Sequence, residues 1–264
     1  MKQLKLMVLT LTLLMGTMFT SCMDSGESGP QQWAGVVKVN DRMGYVTFTD
    51  AAGTELIPTN TIPVTLNARM AYIYCQVDEG QDLSTNPKSI KITLLADPTG
   101  IDATAITTPK VGESGDVTTN APVGSLSFAS GYSTVAPFQF SENTIVLPVL
   151  YRVKNVTTTE DIKNELAKHT FTLVCYTDDI KSGDTILKLY LRYKVEDEPA
   201  AIAERATRTS SFKAYEISQI LREYTLKSGQ AKPAKITIVA QQNEYNNKLE
   251  DTSTIEKVYE IEYK

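Results

Sequence analysis

The chain has 264 residues, with 26 Lys and Arg against 31 Asp and Glu, a formal net charge of −5 and a single histidine. An acidic chain offers no electrostatic handle to nucleic acid or to an anionic lipid surface, and His169, as the one histidine, rules out a multi-histidine metal centre. Its three cysteines, Cys22, Cys75 and Cys175, show no zinc-type spacing.

Residues 1–21 read as an export signal. Lys2 and Lys5 give a positive start, and Leu6 to Phe19 is an apolar run about the length of a signal-peptide core. Thr10, Thr12 and Thr17 break it, and it falls short of the roughly 20 apolar residues of a spanning helix. It ends in Phe19-Thr20-Ser21-Cys22, which resembles a bacterial lipobox. In that resemblance Cys22 becomes the first mature residue and its thiol carries a diacylglycerol thioether. The alternative is an ordinary secretory signal cut elsewhere. Each buried methylene contributes about 0.8 kcal/mol, so two or three acyl chains hold a protein on a membrane. Cleavage removes two lysines and no acid, so lipid, not charge, is expected to attach the mature chain to the cell envelope, at the outer membrane. Residues 22–31 read as a tether. Its Asp24 and Glu27 resemble the acidic stretch that sends some Bacteroidetes lipoproteins to the cell surface.

Alternation of period two then dominates. Residues 32–103 carry WAGVVKVN, GYVTFTD, TELIPTN with TIPVT, ARMAYIYCQV and SIKITLLAD, separated by turn signals at Asn40-Asp41 and in DAAG and STNP. Trp33, Gly35, Val37 and Val39 share one face, as do Ala71, Ile73, Cys75 and Val77. These short strands predict a small closed barrel of the OB type, with a small sandwich as the alternative. Residues 104–123, rich in Thr, Gly, Pro and Asp, predict a linker.

Residues 124–264 hold seven further runs: GSLSFASG, NTIVLPVLYRV, HTFTLVCYT, DTILKLYLRYKV, SFKAYEI, AKITIVAQQ and EKVYEIEYK. Their spacing predicts an immunoglobulin-like β-sandwich. Pro148 cannot donate to a ladder and belongs at an edge or a bulge. In TTTEDIKNELAKH, Thr157 with Glu160 or Thr158 with Asp161 can form a capping box, and Ile162 and Leu166 lie one turn apart on the face expected to pack on the sandwich. EISQILREY offers a second helical turn. The fold class is therefore mainly β, an OB-like barrel followed by an immunoglobulin-like sandwich with one short crossover helix. Cys75 and Cys175 lie within apolar strands and are expected as buried free thiols, a disulfide between them being the alternative.

No catalytic constellation emerges. His169 heads HTFTLVCY on the face of Phe171 and Leu173, a place for a structural histidine, and no Gly-x-Ser-x-Gly elbow accompanies it. Asp178-Asp179 and Glu196-Asp197-Glu198 follow strands and read as solvated loop acids, and no loop has calcium-type acid spacing. No catalytic residue, metal or cofactor is expected. Tyr190, Arg192 and Lys194 share a strand face, with Tyr151 and Arg152 as neighbours, in a combination favoured at protein interfaces. The alternative is the solvated outer face of a sandwich. Asp184-Thr185-Ile186 resembles the O-glycosylation site of Bacteroidetes envelope proteins, with Thr185 as acceptor.

The order NTIVLPVLYRV, a short acidic helix, KHTFTLV, DTILKLYLRYK and SFKAYEIS resembles the C-terminal sandwich of the NigD-like lipoproteins of Bacteroidetes, and the strands from Trp33 resemble that family's N-terminal OB-like domain. The resemblance spans nearly the whole mature chain. Lys168-His169-Thr170-Phe171 and Leu191-Arg192 match; the family pattern continues Arg-His-Asn where this chain has Arg192-Tyr193-Lys194, so no role for a second histidine carries over. The family is described as bacteriocin immunity from a neighbouring gene. The resemblance thus implies a non-catalytic envelope lipoprotein that binds a protein partner, a toxin in the immunity version. An accessory glycan-binding lipoprotein with exposed coplanar aromatics is the alternative, and a hydrolase would need two carboxylates facing across a cleft.

Overall fold

The computed structural model describes residues 31–60, 66, 68–81, 83, 87–113, 115–130 and 133–264. The signal segment, Cys22 and the tether up to residue 30 lie outside them. The chain divides into two compact units, one running to Ala103 and taking in Ala129–Val135, the other formed by Thr104–Phe128 and Ala136–Lys264.

The first unit is built on β1 (Gln32–Arg42), β2 (Tyr45–Thr49), β3 (Glu55–Pro58), β4 (Met70–Val77), β5 (Ser89–Leu94) and β6 (Thr99–Ile101). β1 is long enough to serve two partners, pairing with β4 through residues 32–38 and with β2 through residues 38–42. β2 pairs antiparallel with β3, β3 parallel with β5, and β5 antiparallel with β4, which closes five strands into a barrel. Closure leaves no exposed edge among those strands. The inward face predicted from alternation fills the barrel: Val37, Phe48, Ala71 and Ile73 are fully buried beside Trp33, Cys75, Ile90 and Ile92. Gly35 is required under the indole, since a Cβ there would stand 2.7 Å from Trp33 Cζ2. The β1–β2 turn places Met43 at φ 55° and Gly44 at φ 87°, both left-handed, as a two-residue hairpin of matching twist demands.

The second unit contains two four-stranded sheets. One is made of β7 (Ala103–Ala105, at the boundary between units), β10 (Phe138–Ser141), β11 (Thr144–Val153) and β14 (Thr207–Glu216), in the order β10-β11-β14-β7. The other has the order β12-β13-β15-β16, from β12 (His169–Val174), β13 (Ile186–Val195), β15 (Lys235–Gln242) and β16 (Ile255–Glu262). β8 (Phe128–Ser130) and β9 (Ser133–Val135), almost all of which belongs to the first unit, form a separate ribbon. The sheets bury one face each against the other: Ile145, Leu147 and Val149 of β11 share a core with Leu187, Leu189 and Leu191 of β13 and with Ile236 and Ile238 of β15. Tyr215 of β14 donates its hydroxyl to the Phe171 carbonyl of β12 at 3.0 Å, a polar tie between the layers.

Among the described residues three α-helices accompany these sheets, where the sequence predicts one crossover helix and a further helical turn. α1 (Thr159–Ala167) is the expected helix, capped by Thr158, whose hydroxyl accepts the Asp161 N–H at 3.1 Å. α2 (Pro199–Ala203) starts on a proline suited to a first helical turn but is too short to show periodicity. α3 (Ser218–Ser228), the segment of the EISQILREY turn, is longer than predicted and stops at Gly229, φ 77°.

α1 does not bury its apolar pair: Ile162 and Leu166 are 42% and 43% exposed, whereas Glu165 is 4% exposed. An anionic side chain with several buried donors waiting for it outweighs two apolar ones with no facing layer. Residues 104–123, expected as a linker, lie in the second unit, with Ile106, Ala121 and Val123 in its core. Their backbone is stitched along strand edges. Thr107 N–H donates to Leu173 O at 3.0 Å, and the Asn120 side chain exchanges two bonds with the Val195 backbone at 2.9 and 2.8 Å. Such a segment needs side chains that bond locally more than apolar bulk, which is why its composition reads as a linker.

Pro148 sits where its missing N–H costs nothing. Leu150 N–H donates to Ser125 O at 2.8 Å, so the nitrogen of Pro148, two residues back, points the same way, past Val146 where β10 stops pairing and away from β14.

Candidate functional site

Two polar constellations stand out in the second unit. The first is enclosed. His169, at the head of β12, is 8% exposed and meets the Tyr193 hydroxyl through Nδ1 at 2.6 Å and Glu165 Oε1 through Nε2 at 3.3 Å. Glu165 also accepts from Arg205 Nε at 2.7 Å and from the Lys154 backbone N–H at 2.8 Å, and Arg205 Nη2 reaches Asp197 Oδ2 at 3.1 Å. Lys154 and Lys168 close on the same Asp197 oxygen at 3.1 and 3.2 Å. Burial holds His169 below its ordinary pKa of 6.5 even though Glu165 pulls it upward. Burial pushes Glu165 up, but the Lys154 N–H, Arg205 and His169 together leave it below its usual range. Bonds from Lys154, Arg205 and Lys168 hold Asp197 far down. Every oxygen of Glu165 is spent on protein donors, so this constellation is a structural clasp. Asp197 is thereby corrected from a solvated loop acid to the clasp's outer anchor. The i,i+4 spacing of Glu165 and His169 was the sequence signal for it.

The second constellation lies on the outer face of β13, where Lys188, Tyr190, Arg192 and Lys194 alternate with the buried row. Arg192 donates from Nη2 to the Tyr176 hydroxyl at 2.9 Å, and that hydroxyl donates to Asp116 Oδ1 at 2.9 Å. The guanidinium carbon stands 5.1 Å from the Tyr190 ring centre and 5.7 Å from that of Tyr176, while Lys188 Nζ sits 4.9 Å over Tyr190. Two cations are thus held on two aromatic rings. The Gly112 N–H, then the Tyr176 hydroxyl and Arg192, hold the Asp116 carboxyl below its usual range. Two hollows flank the group and share Tyr176 as a wall: one of about 500 Å³ beside Asp179, Asp184, Lys188 and Tyr190, the other of about 380 Å³ beside Asp116, Thr119, Arg192 and Gln241.

The structure brings Tyr190 and Arg192 together and leaves Lys194 exposed on the same face. It places Tyr151 and Arg152 elsewhere. Tyr151 is a core side chain, 4% exposed, with its ring 5.0 Å from that of Phe171, and Arg152 is 8% exposed with its guanidinium bonded to the Ala206 and Glu244 carbonyls. Tyr176 and Asp116 belong to the group but were missed, Asp116 because it falls in the supposed linker. Thr185 is exposed on the wall of the larger hollow. Cys75 and Cys175 are buried free thiols, both pushed up to about 12, mainly by burial. Among the described residues no group of three or more His, Cys, Asp or Glu could hold a metal ion, and no helix is long and apolar enough to cross a membrane.

No family model matches the chain, and no curated protein is similar to it. Among solved structures it is similar to a candidate lipoprotein of Bacteroides fragilis, 96% identical over 89% of this chain and 99% of that one, with a TM-score of 0.82. It is also similar to a protein of unknown function from Bacteroides vulgatus (11% identity, 89% and 92% covered, TM-score 0.55) and to a NigD-like immunity protein of Bacteroides caccae (10%, 90% and 100%, 0.50). A closed five-stranded barrel followed by paired sheets is therefore the NigD-like architecture drawn from the sequence, shared at the level of the fold. The chain itself belongs to the family of the Bacteroides fragilis lipoprotein.

Proposed function

We propose that the chain is a lipid-anchored protein of the outer membrane that works by holding a protein partner against the outer face of β13. The observation that carries this is the seating of Lys188 and Arg192 on Tyr190 and Tyr176. Tyr and Arg dominate interface hot spots, and side chains fixed in advance lose less entropy when a partner arrives. The lipobox-like Phe19-Thr20-Ser21-Cys22 and the family relative described as a candidate lipoprotein support the anchor, with Cys22 as its attachment point. A narrower version, interception of a bacteriocin, draws support from the fold shared with a protein described as NigD-like immunity. A glycan platform is less well supported, because the Tyr176 and Tyr190 rings meet at 61° and present no flat pair to a sugar face.

Deleting the gene and challenging cells with the neighbouring bacteriocin tests the narrower version. Survival should fall, and return with the wild-type gene but not with a Tyr190→Ala, Arg192→Gln double variant. Unchanged survival would reject immunity. Cys22→Ser should move the chain from the membrane fraction to the soluble one.

A further inference from the structure

We infer that the open edge of β16 docks an extended segment of a protein partner with basic side chains at alternate positions. This is a second surface, independent of the outer face of β13. β16 ends its sheet, paired with β15 along all eight of its residues and with no strand on its other side. An antiparallel strand turns alternate N–H and C=O groups away from its neighbour. Among the described residues, no backbone group outside β15 bonds to those of Ile255–Glu262. Elsewhere the second unit covers such edges. Along β12, the Thr107 N–H donates to Leu173 O at 3.0 Å and Thr107 O accepts the Cys175 N–H at 2.9 Å; Asn120 lies along β13, and Ser125 along β11. β10 is four residues long, with a register shift between Gln139 and Ser141. Short and irregular edges resist pairing, whereas an uninterrupted one of eight residues invites it.

The charges define the strand that fits. Glu256, Val258, Glu260 and Glu262 alternate with the buried Tyr259 and Ile261, and Val258 is 52% exposed. Lys235 Nζ serves both Glu260 Oε2 at 2.9 Å and Glu262 Oε1 at 3.1 Å, so three carboxylates on this face have one ammonium bonded to them. A second copy is the wrong occupant. Antiparallel pairing about a two-fold at Glu256, Lys257 or Glu260 sets that residue against its own copy. A two-fold at Val258 sets Glu256 against Glu260, and one at Tyr259 sets Glu256 against Glu262. Like charges directly opposite destabilise a ladder. A partner with Lys or Arg opposite the glutamates and an apolar side chain opposite Val258 turns each clash into an attraction.

The test uses the intact chain in detergent and the acetylated, amidated octapeptide KTKTVTKT. In an antiparallel ladder its lysines fall opposite Glu262, Glu260 and Glu256, and its valine opposite Val258. Binding should saturate, and hydrogen exchange should slow at alternate amides of β16. The acidic counterpart ETETVTET should bind at least about ten-fold more weakly, and the double variant Glu256→Lys, Glu260→Lys should reverse the two preferences. N-methylating the lysine peptide at its odd or at its even positions should abolish binding in one case only, because one set of its N–H groups faces β16. No binding of the lysine peptide, equal binding of the two peptides, or an equal effect of the two methylated sets would overturn the inference. So would slowed exchange at the β16 edge that rises with chain concentration before any peptide is added, which would assign the edge to a second copy. Capture of a partner at the outer face of β13 is a separate readout, so either proposal can fail without the other.

Discussion

Glu165 and Arg205 meet inside the second unit with Nε and Oε1 2.7 Å apart, one 4% and the other 1% exposed. Removing one partner of an enclosed ion pair leaves a charge without compensation, at a cost of about 3–5 kcal/mol. Glu165→Ala leaves Arg205 with Asp197 as its remaining counter-ion, so it should destabilise the second unit by up to that amount in chemical denaturation. The double variant Glu165→Leu, Arg205→Met should cost far less than the sum of its single variants, because it removes the orphaned charge.

Acid should weaken the same unit in two stages. His169 has a folded pKa below 6.5, so just under pH 6.5 the unfolded chain takes up a proton that the folded chain refuses. Stability then falls as pH drops through that window and levels off below the folded value. Glu165 and Asp197 are held below their ordinary 4.5 and 3.8. Their contribution is complete above about pH 4.5 and is lost as pH falls towards their folded values. Denaturation midpoints across pH 3–8 should show both limbs, and His169→Gln should remove the upper one.

Met43 should be replaceable with gain. It holds φ 55° in a two-residue turn, and its side chain is wholly exposed, so no packing offsets the left-handed backbone. Met43→Asn or Met43→Gly should stabilise the barrel by about 1 kcal/mol, read as a raised unfolding midpoint of the first unit.

The thiols of Cys75 and Cys175 should be silent. Each is 1% exposed and pushed up to about 12, so almost no thiolate exists at neutral pH and reagents lack access. Native protein of the mature chain should fail to label at either position with maleimide, and both should label once unfolded.

The barrel was legible because its strands are half-buried, and period-two alternation marks half-burial directly; Trp33 over Gly35 and the Ala71–Ile73–Cys75 row fall where alternation puts them. The rows of β13 were legible for the same reason. Three things were not. α1 has a stripe, Ile162 and Leu166, that predicts the wrong inward face, because periodicity weighs apolarity and is blind to Arg205, forty residues away, which draws Glu165 inside. Residues 104–123 lack apolar mass yet pair along strand edges. Tyr151 and Arg152 sit beside the β13 residues in composition only; they belong to the other sheet and are buried there. In each case the deciding partner is distant in sequence.

The central claim is that a partner binds the outer face of β13 while the chain is anchored. A photo-cross-linking residue placed at Lys194, exposed on that face, and another at Leu226, 79% exposed on α3, test it in living cells. The account predicts one defined protein adduct from position 194, none from 226, and loss of the adduct in the Tyr190→Ala, Arg192→Gln variant. No adduct from 194, or the same products from both positions, would contradict it.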